Sequence, residues 1–373
     1  MPPPFRADHV GSLLRPQGLL DARAELASPS KMYSLEVPEA VKEAESQAIR
    51  DVVQLQLNKG IRPITDGEYA RHIYYGGFFE KLSGFEARPD LRIPDAFRTD
   101  FPTTTGLARM GAKTRAAVVC TGRIGYKESP YLAEWLALRD SLPEQHLWKE
   151  AKMTIPTPNY QHIQLKPGTA WTPKSGYASD PEYLDDLAKC YAAELQTLYK
   201  HGLRNIQIDD PHLTYFCSPQ FVQGCTKDGT DTDALLDLYI RTHNRLLRDL
   251  PKDLHVGVHL CRGNMAGSTH WVAGSYEKIA YKLFRETDYG TYLMEAELED
   301  RGTVTAALRE AAAVVAAAQE VGVEEALDSL ALSPQCGFSS SSLAGGVGMT
   351  RERMWEKLGL VRSIAEEVWP GRS

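Results

Sequence analysis

In the run Val256-Gly257-Val258-His259-Leu260-Cys261, an imidazole and a thiol alternate with apolar residues. Side chains alternate across a strand, so a strand here puts His259 and Cys261 on one face with Gly257 and leaves Val256, Val258 and Leu260 on the other. The same alternation sets Leu293, Glu295 and Glu297 opposite Tyr292, Met294 and Ala296, which brings a carboxylate towards the same place. The last cysteine, Cys336, stands where the apolar run Leu330-Ala331-Leu332 breaks at Pro334. Two thiols, one imidazole and one carboxylate make a tetrahedral set for zinc, which accepts sulfur, nitrogen and oxygen donors without geometric preference. Zinc lowers the pKa of a thiol bound to it, so the chemistry expected is thiolate attack on an electrophilic methyl or alkyl carbon. Taken singly, each piece reads more readily as structure: His-x-Cys as a buried pair, Cys336 as inert packing, Glu295 as an ion-pair partner.

These residues need a frame that holds them at the ends of neighbouring strands. Helical spacing runs from about 37 to 59 and stops at Gly60, after which Ile61 to Glu68 reads as a short strand ending in a polar turn. The rhythm recurs: a helix over 182–201, Gly202, and a strand over 204–210 closing on Asp209 and Asp210. Helices near 232–250 and 275–287 lead into His255–Cys261 and Tyr289–Glu297. Strands joined by helices indicate a parallel sheet, with the site at the carboxyl ends of its strands, and an α/β barrel is the economical form. Residues 5–16 read as a short strand with a Gly-Ser turn, and 84–150 as an irregular excursion, a small antiparallel hairpin or lid, with a strand at Ala116 to Thr121. The aromatic group Tyr74-Tyr75 and Phe78-Phe79 is expected to be exposed, lining a pocket or an interface, unless at least two of the four pack in the core. Arg71 and Arg262 either meet an acidic substrate group or pair with nearby carboxylates.

The chain has 373 residues, 43% apolar and 9% aromatic, which suits one globular domain over 1–373. A net charge of -7 with scattered Lys and Arg argues against nucleic acid or an anionic membrane as partner. The first twenty residues have no secretory-type apolar core, and no apolar run reaches the ~18 residues of a membrane span, so a cytoplasmic location is expected. Six sparse, irregularly spaced cysteines point to free thiols or ligands rather than disulfides. The oligomeric state is not legible.

Several segments together resemble the catalytic barrel of cobalamin-independent methionine synthase, and more closely its short single-barrel relatives. They are Asp8-His9-Val10-Gly11-Ser12, Thr65-Asp66-Gly67-Glu68-Tyr69-Ala70-Arg71, Ile206-Gln207-Ile208-Asp209-Asp210-Pro211, His259-Leu260-Cys261-Arg262-Gly263-Asn264 and Ser333-Pro334-Gln335-Cys336-Gly337-Phe338. The resemblance implies a TIM (β/α)8-type barrel and a Zn2+ site made by His259, Cys261, Glu295 and Cys336, on which the homocysteine sulfur binds. It also implies that Ser12, Glu68 and Asp209 hold the carboxylate and amine of the amino acid, with Asp210 as the neighbouring alternative to Asp209. Without the resemblance, Asp209 and Asp210 read as capping groups and Glu68 as a turn residue.

The chain departs from the family in three ways. It has no counterpart of the N-terminal half that helps hold polyglutamylated folate in the full-length enzyme. The stretch from Glu295 to Cys336 is shorter than in the single-barrel relatives, so the seventh strand is irregular or missing, and Thr303 to Glu320 reads as one helix. The acid histidine proposed for the family falls in that stretch, and no motif supports His162, His212 or His270 in its place. The expected function is zinc-dependent transfer of a methyl group to a small thiol such as homocysteine, forming methionine, from a donor of which a folate is one candidate. The alternatives are thiol addition to an epoxide, demethylation of a small methylated compound, a metal-free barrel enzyme and a non-enzymatic relative.

Overall fold

The structure, a computed structural model, describes residues 3–27, 31, 34–263, 270–295, 301–339 and 348–371. An antiparallel hairpin, β1 (Ser83–Arg92) with β2 (Thr114–Gly125), precedes four parallel strands. These are β3 (Met153–Pro156), β4 (Asn205–Asp209), β5 (His255–Leu260) and β6 (Thr291–Met294), hydrogen-bonded in that order. Parallel bridges carry the arrangement further: Ile64 pairs with Ala151 just ahead of β3, and Ala7 pairs with Leu332. Between Ala7 and Ile64 the described links include side chains: His9 Nε2 meets Pro63 O at 2.7 Å and Thr65 Oγ1 donates to Gly11 O at 2.7 Å. The short strand expected over 5–16 is therefore a single bridge at Ala7. Its backbone also takes hydrogen bonds from inside the sheet, Lys152 Nζ to His9 O and Gln207 Nε2 to Val10 O.

The principal helices are α1 (Glu39–Lys59), α2 (Pro102–Arg109), α3 (Asp180–Lys200), α4 (Thr232–Leu247), α5 (Glu277–Glu286), α6 (Arg301–Gln319) and α7 (Arg351–Val368). In α1 the buried positions Val41, Glu45, Ala48, Ile49, Val52, Val53 and Gln56 recur at helical spacing, forming the face that packs inward. Gly60 ends α1 with φ 62°, a left-handed turn that a glycine adopts without steric cost. α3 and α4 begin on side-chain caps: Ser179 accepts from Glu182 N, and Asp231 from Asp233 N and Ala234 N.

β3, β4 and the last five residues of β5 are fully buried, as parallel strands covered on both faces are. Among the described residues, most buried apolar ones, Leu13 and Leu358 included, join one main core, with two smaller clusters around Phe97 and Ala117 and around Ala312 and Trp369. Phe78 and Phe79 belong to the main core at 0% exposure and Tyr75 at 5%, so the core-packing alternative holds for three of the four rings, while Tyr74 is half-buried. Phe78 packs on Tyr131 and Tyr191, and Phe79 on nearby Phe85 and on Tyr160; all but Phe85 are distant in sequence.

The stretch after β6 holds the helix expected there, α6, and no bridge joins β6 to Leu332 among the described residues. The fold is thus α/β around a parallel four-stranded sheet.

Candidate active site

The register of the sheet sets the site. Asp209 of β4 pairs with His259 of β5, and Leu260 of β5 pairs with Met294 of β6. One residue further, Cys261 and Glu295 leave the strands side by side on the face already occupied by His259. A ligating atom from each of His259, Cys261, Glu295 and Cys336 lies within 4.8 Å of the others. Cys261 Sγ is 3.4 Å from Cys336 Sγ, Cys336 Sγ donates to Glu295 Oε1 at 2.6 Å, and His259 Nε2 is 3.4 Å from the same oxygen. Glu297, expected on the same face, lies outside the described residues.

The donor set fits a zinc ion chemically. The bond with Cys261, burial and the Glu295 charge hold the Cys336 thiol well above the usual thiol range. Burial pushes the His259 imidazole down, but its bonds with Asp209 and Glu295 raise it above the ordinary range. A dication among these atoms reverses that balance, since it favours both thiolates and a neutral imidazole. Glu295 Oε2 is buried without a hydrogen-bond partner, with His270 Nδ1 3.7 Å away.

Behind the imidazole runs a polar column. Asp209 Oδ1 meets His259 Nδ1 at 3.1 Å and accepts from Gln207 Nε2 at 2.7 Å, while Lys152 Nζ donates to Gln207 Oε1 at 2.8 Å and to Asp8 Oδ1 at 2.6 Å. A carboxylate behind a ligating histidine fixes its tautomer and orientation. Gln207 and Lys152 were not singled out from the sequence. Gln207 was legible in principle, because it shares the strand face of Asp209 while Ile206 and Ile208 take the other.

Ser12, Glu68, Asp209, His259, Cys261 and Cys336 all line one cavity of about 450 Å3. Glu68 has left-handed backbone, φ 60°, uncommon outside glycine and typical of functional positions. Its Oε1 accepts from Thr154 Oγ1 at 2.6 Å, and its Oε2 is buried with no hydrogen-bond partner. Burial raises the Glu68 carboxyl, Arg71 opposes this and the Asp209 charge adds to it. Arg71 is tied to Glu134 at 2.7 Å and lies 3.8 Å from Glu68, so it pairs with carboxylates, while Arg262 sits over the Tyr276 ring at 4.2 Å. Asp210 points elsewhere, towards His243 at 3.2 Å, and caps the backbone of His212 and Leu213.

Ser12 is reached by the far end of the chain. Phe338 N donates to Ser12 O at 3.0 Å and Ser339 N to Ser12 Oγ at 3.4 Å. A Cβ on Gly337 would fall 2.0 Å from Ser12 Oγ, so any side chain there would push the Ser12 hydroxyl from its place.

Of the three histidines without a motif, His212 lines the cavity, His270 lies beside Glu295, and His162 is buried against Tyr239 and Asp180. The described cysteines are all free. No helix among the described residues is long and apolar enough to cross a membrane.

No protein-family model matches the chain. It is 31% identical to the uncharacterized protein YxjG of Bacillus subtilis over 404 aligned residues, covering 98% of this chain and 95% of that one. YxjH of the same organism is 29% identical over a similar span. The methionine synthase of Pyrococcus abyssi is 26% identical over 78% of this chain and 72% of its own length. Among solved structures, a candidate vitamin B12-independent methionine synthase from Listeria monocytogenes superposes with a TM-score of 0.67 at 26% identity, covering 99% of both chains. The chain therefore belongs to the family of YxjG and shares the methionine synthase-like architecture of the Listeria structure.

Proposed function

We propose that this chain is a zinc-dependent methyltransferase that moves a methyl group onto a small thiol such as homocysteine, on a (β/α)8-type barrel forming one domain over 1–373. The observation that carries this reading is a two-thiol, one-imidazole, one-carboxylate donor set, three members of which, His259, Cys261 and Cys336, line the same cavity as Ser12, Glu68 and Asp209. The likeness to the Pyrococcus methionine synthase and to the Listeria structure supports an amino-acid thiol as acceptor. His259, Cys261, Glu295 and Cys336 would hold the zinc, which when bound supplies the charge that keeps an acceptor thiol ionised near neutral pH.

The remaining work falls to the chain. Glu68 Oε2, buried and without a hydrogen-bond partner, accepts from the substrate ammonium, with the Asp209 carboxylate beside it. The Ser12 hydroxyl donates to the substrate carboxylate. Anchoring both ends of the amino-acid group leaves the thiol side chain to reach the donor set, and this positioning replaces a chance encounter.

The test is metal analysis of protein purified without chelator, followed by zinc-edge X-ray absorption with and without homocysteine. About one zinc per chain, with sulfur coordination rising when the thiol is added, is the expected result. Absence of zinc, or coordination indifferent to the thiol, overturns the reading.

A further inference from the structure

The part of the cavity not occupied by the donor set and the amino-acid anchors is walled by rings: Tyr74, Tyr75, Tyr160, Tyr215 and Trp271. The rings touch one another, with centroids 5.1 Å apart for Tyr74 and Tyr75 and 4.1 Å for Tyr75 and Tyr160. His212 joins Tyr215 to this group, 4.7 Å from Tyr160 and 5.2 Å from Tyr215. Two glycines make room for the indole of Trp271. A Cβ on Gly106 of α2 would lie 1.8 Å from it, and one on Gly263 would lie 2.0 Å from it.

Charge is distributed unevenly over this wall. Among the described lining residues the anions are Glu68 and Asp209, and Arg115 of β2 is the only Lys or Arg. Arg115 donates to Thr104 Oγ1 at 2.6 Å and to Tyr160 OH at 3.4 Å, which sets its guanidinium at the edge of the ring cluster. Electron-rich ring faces attract a cation, and a quaternary centre suits them because it offers no proton for hydrogen bonding. A guanidinium at the margin suits a carboxylate.

The leaving group leads to the same chemistry. A methyl group on a neutral amine departs only if the nitrogen gains a proton. Burial holds His212 down to about 3 and raises the hydroxyls of Tyr74, Tyr160 and Tyr215 above their ordinary range, so none of these four is a ready acid at neutral pH, and Glu68, raised to about 7, is taken up by the amino-acid anchor. A methyl-bearing cation departs without a proton.

Resting on the thiol-methylation reading above, we propose that the methyl donor is a small zwitterionic onium, a methylsulfonium or methylammonium that also carries a carboxylate. Its charged centre sits among the rings of Tyr74, Tyr75, Tyr160, Tyr215 and Trp271, and its carboxylate meets Arg115. In the transfer, a lone pair of the acceptor thiolate forms the new C–S bond to the methyl carbon as the bond from that carbon to the onium heteroatom breaks. The broken pair stays on the heteroatom, which leaves as a neutral sulfide or tertiary amine, and the proton of the thiol goes to solvent.

The test uses the zinc-loaded full chain and calorimetric titration with glycine betaine, dimethylsulfoniopropionate, choline and tert-butylacetate, the last an uncharged-centre isostere of betaine. Both betaines are expected to bind roughly ten-fold or more tightly than tert-butylacetate, and more tightly than choline, which lacks the carboxylate. Tyr160→Leu should abolish the preference for the charged centre, Tyr160→Phe should keep it, and Arg115→Gln should erase the advantage over choline. Equal binding of betaine and its isostere, or a preference unchanged in Tyr160→Leu, overturns the proposal. Methionine formed from homocysteine, read by NMR, then tells sulfonium from ammonium. The zinc-edge response to homocysteine reports the acceptor half separately. If that response is intact while the onium preference is missing, only the donor class fails; if it is lost, thiol transfer fails while the titration still decides the onium site.

Discussion

Asp209 stands between the polar column and the donor set, taking Gln207 Nε2 at 2.7 Å and His259 Nδ1 at 3.1 Å on one oxygen. Removing its charge while keeping its shape should loosen the imidazole it orients. Asp209→Asn is therefore expected to fold normally and to bind zinc roughly 10–100-fold more weakly, measured by competition with a chromogenic chelator. Unchanged affinity would show that the pair does not orient the ligand. Cys261→Ser or Cys336→Ser should lose most of the metal, whereas Glu68→Gln should keep it and raise the KM for homocysteine. Full zinc retention in both serine variants would remove the site assignment. Glu80 gives a prediction unrelated to the metal. Its Oε2 is buried without a hydrogen-bond partner, and burial pushes the carboxyl up to about 7 against the pull of the Glu80 and Gly77 backbone N–H groups and of Lys81. An unfolded glutamate titrates near ~4.3, so between there and 7 the folded chain keeps a proton that the unfolded chain has released. Stability from this residue is full below that window and falls as pH rises through it. Glu80→Gln should flatten the melting temperature across that range and raise it at pH 8, and a parallel decline in both proteins would count against the assignment.

At the level of elements, the site depends on two alignments of different origin. The alternation of His259 and Cys261 between valines and a leucine is local, with a period of two, which is why the donor faces were legible in the sequence, and α1, α3, α4 and α5 were legible for the same kind of reason. The hairpin was less so: β1 alternates weakly and carries Glu86, Arg88, Pro89 and Asp90, so no apolar face marks its length. Of the rings of the cavity wall only Tyr74 and Tyr75 were legible, as a pocket lining; Tyr160, Tyr215 and Trp271 come from separate connections and meet them only in the folded chain. The burial of Phe78 and Phe79 was legible only as the alternative to exposure, since their partners Tyr131, Tyr160 and Tyr191 are remote in sequence. The second alignment docks Cys336–Ser339 on Ser12 through Gly337. Gly337→Ala forces its Cβ onto the Ser12 hydroxyl, and such overpacking costs about 1–3 kcal/mol. The expected outcome is a lower melting temperature together with a higher KM for the thiol; an unchanged KM would mean that Ser12 does not touch substrate.

For the whole molecule, a zinc held by the donor set would act as a clasp. Glu295 follows β6, Cys336 follows the Leu332 bridge, and Cys336 Sγ meets Glu295 Oε1 at 2.6 Å, although no bridge joins β6 to Leu332 among the described residues. A metal held there ties the two edges together, and binding to the native state alone stabilises it by mass action. Removing the metal with a chelator should lower the melting temperature and speed amide exchange in β6 and around Leu332 more than in β4. Uniform exchange would show that the clasp is not mechanical. The position of Cys336 also fixes when the site can exist. Chains are made from the amino end and fold in that direction as they emerge. His259, Cys261 and Glu295 leave the ribosome well before Cys336 and the Gly337 turn that seats Ser12. A nascent chain arrested short of Cys336 holds three of the four candidate ligands, so on the zinc reading the complete donor set forms only once Cys336 has emerged.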